Sequence, residues 1–261
     1  MTPEFQGTAL PLDLDGIEAA TQLLQVGVAE LVAVGTVETR GFGYLADRRP
    51  LILFERHIFS RETNHKFDGA DSNISNPNPG GYGPSGAPQY DRLMRAIAFD
   101  RDAALRSASW GLGQVMGFNA QAAGFADAET MVVEMMESEN AQLLAMANFI
   151  KGQPKAVTAL RNHDWAGFAR LYNGPSFAIN KYDVKLAAAF QGFQAGTFPD
   201  LNVRTAQAFL LYLGFSPGGV DGLMGRTTRS AMHEFQAQQG LPETDDVTDE
   251  LLTALRQQAV G

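Results

Sequence analysis

Apolar residues recur along most of this chain at the three- and four-residue spacing of a helix face. Ile17, Ala20, Leu23 and Leu24 form the first such set, with Asp15 placed to cap it. Gly27 interrupts, and Val28, Leu31, Val32 and Val34 carry a second helix that ends at Val37-Glu38. Gly41 and Gly43 break the pattern, after which Leu51-Ile52-Leu53-Phe54 reads as a short strand leading to Glu55. Residues 62–88 are dense in Gly, Pro, Asn, Ser and Asp, show no period, and read as one long loop. From Gln89 the chain is expected to turn helical and stay so, with Tyr90, Leu93, Met94, Ile97 and Ala98 on one face. Ala103, Ala104, Leu105 and Ala108 lead into Ser109-Trp110-Gly111-Leu112-Gly113-Gln114. Residues 128–150 read as one long helix whose methionines fill a core. Residues 165–172 form a helix stopped at Asn173-Gly174-Pro175, and residues 182–193 form another.

Two glycines and a proline dilute the pattern across residues 191–202, which marks a domain boundary. Beyond it, residues 203–213, 227–239 and 248–258 read as three short helices between Gly- and Pro-containing turns. The expected architecture is therefore mainly α. Residues 1–195 form an α+β domain with one small β element near Glu38, and residues 201–261 form a three-helix module.

Composition narrows the chemistry. The chain has 261 residues, 45% of them hydrophobic, enough for a large domain and a small one. It contains no cysteine, so disulfides, thiolate metal sites and a cysteine nucleophile are excluded. A formal charge of −9, without clustered Lys or Arg, argues against a nucleic-acid partner. No apolar run reaches the roughly 18 residues of a membrane span, and no basic and apolar leader is visible at the N-terminus. His57, His65, His163 and His233 have no metal-ligand spacing, and no Ser-His-Asp arrangement stands out. Neither a metal nor an organic cofactor is expected, and nothing calls for more than a monomer.

Two acids stand out from the residues themselves. A helix that ends on Glu38 and a ribbon that leads to Glu55 suit glycoside cleavage, which usually sets two carboxyl groups about one bond. Val34, Val37 and Phe42 are close enough in sequence to desolvate Glu38 and raise its pKa. Glu55 is either a catalytic base on a strand returning beside Glu38 or part of an ion network with Arg56 and His57. Asp68 and Asp71 are further candidate acids or metal ligands, or else solvated loop carboxylates, and Tyr82 is placed either to stack on a sugar ring or to anchor its loop.

Gly111-Leu112-Gly113-Gln114-Val115 resembles the G-L-M-Q-[IV] segment of the lysozyme-like superfamily, in particular goose-type lysozymes and lytic transglycosylases. Tyr172-Asn173-Gly174-Pro175 resembles their A-Y-N-x-G segment. LILFERHIF, ISNPNPGGYG, QYDRLMRA, ALRSASWGLGQVMGFN and DWAGFARLYNGP together resemble a phage-endolysin family of N-acetylmuramidases over roughly residues 15–195. Departures are Gly113, where a bulky side chain expected to line the cleft is missing, and Gly174, which directly follows Asn173. A different resemblance covers the last 60 or so residues. Val203-Arg204-Thr205-Ala206-Gln207, Leu213-Gly214-Phe215 and Asp221-Gly222-Leu223-Met224-Gly225-Arg226-Thr227-Thr228 are similar to the small peptidoglycan-binding domain of wall hydrolases. Within that run Gly222 and Gly225 are expected at unusual backbone angles, with Thr227 or Thr228 capping the next helix.

The resemblance implies a lysozyme-like fold and cleavage of the β-1,4 bond between N-acetylmuramic acid and N-acetylglucosamine in bacterial peptidoglycan, with Glu38 as the acid. Gln114 and Asn119 are implied to bond sugar or the attacking water, unless these helix-region amides only satisfy backbone. Tyr172 and Asn173 are implied on the cleft floor, with the tyrosine hydroxyl orienting Glu38. The implied partner is the peptidoglycan glycan strand, and the implied site of action is the wall, reached from the host cytoplasm once the membrane is permeabilised. Three alternatives remain: a lytic transglycosylase that forms anhydro products with one acid, a non-catalytic wall-binding or virion structural protein, and a chitinase-like enzyme.

Overall fold

The computed structural model describes residues 4–39, 41–195 and 198–261. In order, the first part runs α1 (Leu14–Leu24), α2 (Val28–Thr39), β1 (Ile52–Phe54), α3 (Arg56–Glu62), α4 (Pro88–Ile97), α5 (Arg101–Arg106), β2 (Ala108–Trp110) and β3 (Val115–Met116). The second part is helical: α6 (Ala128–Glu137), α7 (Glu139–Lys151), α8 (Pro154–Arg161), α9 (Trp165–Tyr172), α10 (Tyr182–Gln194), α11 (Leu201–Tyr212), α12 (Arg226–Gln239) and α13 (Asp249–Val260). The mainly α architecture expected from the pattern is the one the chain adopts. Among the described residues no single helix is long and apolar enough to cross a membrane, and the apolar pair α1 and α2 is bent by 107°.

Helix α2 is apolar on nearly every side and is accordingly enclosed, chiefly by α1 and α10. Helix α1 is capped by Asp13, whose carboxylate accepts from the Gly16 N–H, whereas Asp15 lies in the first turn. Asn140 of α7 donates to the same Asp13 oxygen at 2.7 Å, a long-range contact that selects between two locally equivalent acids.

Residues 108–116 depart from the helical expectation. They form a hairpin, and β1, β2 and β3 make a three-stranded antiparallel sheet with Ile52 opposite Trp110 and Trp110 opposite Val115. Gly111 at φ +65° and Gln114 at φ +48° turn the chain, so Gln114 is a hairpin residue rather than a helical one. The expected helix over residues 128–150 is likewise two helices. Ser138 is extended, caps α7 through its hydroxyl and bridges to Leu10, because the N-terminal arm threads between α6 and α7.

The aperiodic loop before α4 is held by side chains where it has no ladder. Arg92 donates to the carbonyls of Phe54, Asn73 and Tyr82, and Gln89 donates to those of Tyr82 and Pro84. One core runs through the first 195 residues and centres on Trp110, Tyr90, Phe54, Phe59 and Phe168.

A second core joins Ala206, Phe209 and Leu210 of α11 to Met232 and Phe235 of α12 and Leu251 and Leu255 of α13. The boundary expected between the two parts includes Gly196 and Thr197, which lie outside the described residues. Gln207 organises the turn before α12, accepting from the Asp221 and Gly222 N–H groups and donating to Asp221, Leu223 and Thr228. Gly222 has the expected positive φ of +73°. Gly225, in contrast, is an ordinary extended residue at the N-cap of α12, and no threonine side chain caps that helix. Thr228 is buried and donates to the Pro217 carbonyl instead.

The two parts meet through Tyr212, whose hydroxyl donates to Ala9 O at 2.9 Å, Arg48, which donates to Ala259 O at 3.1 Å, and a buried ion pair between Arg204 and Glu139.

Gly113 corrects a further expectation. A Cβ there would lie 2.6 Å from Met146 Cβ, so a side chain at this position would enter the core against α7 and would not line a cleft. Gly113→Ala is expected to destabilise the protein by about 1–3 kcal/mol through overpacking, read as a lower midpoint in urea unfolding. An unchanged midpoint would show that α7 yields at no cost.

Candidate active site

Glu38 occupies the last turn of α2, where three distant segments converge. The hairpin turn between β2 and β3 lies against that turn: Leu112 packs on Gly35, and the Thr39 hydroxyl donates to Leu112 O at 3.2 Å. The C-terminus of α9 closes the arrangement from the other side. Tyr172 donates to Gly113 O at 2.6 Å, and Asn173 Nδ2 donates to Glu38 Oε1 at 2.7 Å. The tyrosine hydroxyl is therefore spent on the hairpin, and the amide of its neighbour holds the acid. Asn173 is also the C-cap of α9, its N–H bonded to Ala169 O, and Gly174 at φ +85° turns the chain away.

Burial drives the Glu38 carboxyl up to a pKa of about 7, against smaller opposing effects of the Asn173 hydrogen bond and the Lys185 charge. Placement at the negative end of a helix acts in the same direction as burial. The side chain is half-buried, so it keeps a path to solvent. Tyr182 and Lys185 of α10 complete its surroundings. Neither was legible in the sequence, because they are ordinary positions of an amphipathic helix that α2 happens to pack on. Phe42, expected to shield Glu38, turns its ring to Tyr44, Tyr212 and Arg204.

Glu55 belongs to a different cluster. Its strand pairs with β2 and not with α2, and its backbone N–H bonds Ser107 O. The Tyr82 hydroxyl lies within hydrogen-bonding reach of the Glu55 carboxylate. His57 Nδ1 lies 3.1 Å from Glu55 Oε2, yet off the line of a hydrogen bond, which leaves both atoms buried without one. Burial raises the Glu55 pKa, opposed by Tyr82 and by the charge of Arg92. Arg56 donates to Asn78 O and Ser72 O, and reaches this group through its charge, which acts on His57 and Tyr82. The structure thus brings Tyr82 to Glu55, and Tyr172 and Asn173 to Glu38. Among the described residues the two clusters share no bonding partner.

The remaining candidates are engaged locally. Gln114 donates to Leu51 O and Gly111 O and accepts from the Ser109 hydroxyl at 2.8 Å, which binds the hairpin to β1. Asn119 ends a 3₁₀ turn, Gly117–Asn119, half-buried, with its carbonyl accepting from Ala123 N. Asp68 is bonded by Ser75 and His65, and Asp71 by Arg95. Those two acids secure the long loop. A cavity of about 370 Å³ lies between α1, α2, α10 and the C-terminal module, and Glu38 is not among its lining residues.

The sequence profile of the N-acetylmuramidase family matches residues 27–194, and one described as a candidate peptidoglycan-binding domain matches residues 199–255. Among solved structures, the chain is similar to the crystal structure of the endolysin of Burkholderia phage AP3. Identity is 39%, the TM-score is 0.64, and the match covers 69% of this chain and 70% of that one. A candidate OxPP cycle protein, OpcA, of Nostoc punctiforme is 29% identical over 96 residues, or 31% of this chain. The chain spans only 21% of the length of that relative.

A raised carboxyl pKa has a signature in stability. Below pH 4.5 Glu38 is protonated in both folded and unfolded chains and contributes nothing; between 4.5 and about 7 only the native state holds the proton, so stability falls as pH rises. Glu38→Gln is accordingly expected to stabilise the protein above pH 7 by about 1–3 kcal/mol, allowing for solvent screening, and to be neutral below pH 4.5. Urea unfolding on both sides of that window checks it, and an equal effect at both pH values would contradict a desolvated carboxyl.

Proposed function

Because the chain belongs to the N-acetylmuramidase family, we propose that it cleaves the β-1,4 bond between N-acetylmuramic acid and N-acetylglucosamine in peptidoglycan, with Glu38 as the general acid. The observation that carries this reading is the half-buried Glu38 carboxyl held by Asn173 at 2.7 Å, with a pKa close to neutrality. A carboxylic acid so tuned is protonated at the start of the reaction and gives its proton to the glycosidic oxygen as the C–O bond breaks. Asn173 fixes the direction in which the proton leaves. Tyr172, bonded to Gly113, ties α9 to the hairpin and so fixes Asn173.

Glu55 is proposed as the second acid, placed to activate water as the Tyr82 phenol and the Arg92 charge favour its ionised form against burial. Tyr82, 39% exposed, offers a sugar-stacking face at the same point. Gln114, on the hairpin, and Asn119, in the 3₁₀ turn that follows it, are proposed to bond sugar or the attacking water. Residues 1–195 are proposed as the catalytic domain and residues 201–261 as the wall-binding domain, with glycan strands as the partner of a monomer. Action on the wall, supported by the resemblance to a phage endolysin, is proposed to follow accumulation in the host cytoplasm and permeabilisation of the membrane.

Glu38→Gln is expected to lower the rate of clearing of purified peptidoglycan by about a thousandfold while the fold is kept, and near wild-type clearing would end the assignment. Glu55→Gln is expected to lower it by about a hundredfold. Mass spectrometry of the released muropeptides is expected to show reducing ends. Anhydro ends together with a fully active Glu55→Gln variant would indicate the one-acid transglycosylase route instead.

A further inference from the structure

Arg204 lies in α11 of the C-terminal module, but its guanidinium leaves that module. It reaches the fully buried Glu139 of α7 with two bonds, Nη1 to Oε2 at 2.6 Å and Nη2 to Oε1 at 2.8 Å, and Nη2 also donates to Gly41 O. The same Glu139 carboxylate accepts from the Gly43 N–H and the Leu12 N–H, each at 2.9 Å. Gly41 and Gly43 belong to the turn by which the chain leaves α2, three and five residues after Glu38. Between them Phe42 lies under the guanidinium, 5.6 Å from its centre, and against the Tyr212 ring.

A void adjoins this end of α2. The apolar cavity of about 370 Å³ is lined by Gly35, Thr36 and Gly41 on one side and by Pro199, Arg204 and Leu223 on the other. Beside such a void, directional bonds fix where the helix ends, and the Arg204 fork is the one supplied by the module. We propose that Arg204 is a positioning residue for Glu38: docking of the C-terminal module on the body holds the end of α2 in its active geometry. The module thereby supports catalysis on every substrate, including glycans too short to reach it. This rests on Glu38 being the general acid.

The test uses full-length variants and a short soluble wall-glycan oligosaccharide, with kcat, KM, the alkaline limb of the pH profile and thermal unfolding measured together. Arg204→Lys keeps the charge and loses the fork. It is expected to remain folded, to lose about ten- to a hundredfold in kcat with KM unchanged, and to move the alkaline limb to lower pH as the loosened helix end admits water to Glu38, whose other neighbours Tyr172, Tyr182 and Lys185 are untouched. Tyr212→Phe removes the bond to Ala9 O and leaves Gly41 untouched, so its alkaline limb is expected at the wild-type position. Arg204→Gln with Glu139→Gln removes the pair together and is expected to reproduce the shifted limb in the fraction that folds.

Folded Arg204 variants with wild-type kcat and limb overturn the proposal. So does a limb shift in Tyr212→Phe as large as that in Arg204→Lys, because it would mark a general loosening of the seam. Glu38→Gln is the control for the underlying reading. If it retains activity, the general-acid assignment fails; if it is inactive while Arg204→Lys behaves as wild type, only the present inference fails.

Discussion

A carboxylate with no exposed surface sits where the N-terminal arm, the exit of α2, α7 and the C-terminal module meet. Glu139 accepts four N–H donors from Leu12, Gly43 and the Arg204 fork, which together satisfy its two oxygens. Burying such a group is tolerable only if all of these donors are in place, and losing one partner of a buried pair costs about 3–5 kcal/mol. That condition dictates much nearby. Gly43 has no room for a side chain beside Gln142, and Gln142 in turn bonds Leu112 N and Met135 O. The hairpin turn and the helix exit are thus set against the same two polar residues of α7.

From this anchor the geometry of the acid follows in steps. Glu139 and Gln142 place the exit of α2 and the turn at Leu112. Leu112 receives the Thr39 hydroxyl, Gly113 receives the Tyr172 hydroxyl, and Asn173, next in sequence, reaches Glu38. Each link is a hydrogen bond to a backbone carbonyl, a carboxyl or the Gln142 amide oxygen in a partly desolvated place, where leaving it unmade is costly. The acid is raised toward neutrality because these bonds enclose it while only one of them reaches its own oxygens.

The two acids read from the sequence prove unequal for a topological reason. Glu38 ends a helix onto which two distant signatures fold, so its surroundings are built by long-range contacts. Glu55 directly follows β1 and receives Tyr82 from a loop that Arg92 and Gln89 secure. The long Gly- and Pro-rich loop is thereby an ordered arm that carries one aromatic side chain to a second carboxyl. The arginine that organises it sits at an inward-facing position of α4, where a pattern search expects an apolar residue.

Local rules read from the sequence determined the helices with apolar periodicity, the stops at Gly27 and Asn173-Gly174, the strand at residues 52–54 and the three helices of the last part. Those features follow from side-chain spacing and backbone freedom, which act over a few residues. The pairing of Glu38 with Asn173, the hairpin at residues 108–116, the break at Ser138, the inward direction of Gly113 and the Arg204–Glu139 clamp were decided by tertiary structure alone. Asn140 chooses the α1 cap, Leu10 splits a helix, and Met146 occupies the space beside Gly113. In each case the deciding atom lies tens of residues or more away along the chain, in a space that exists only after the core has closed.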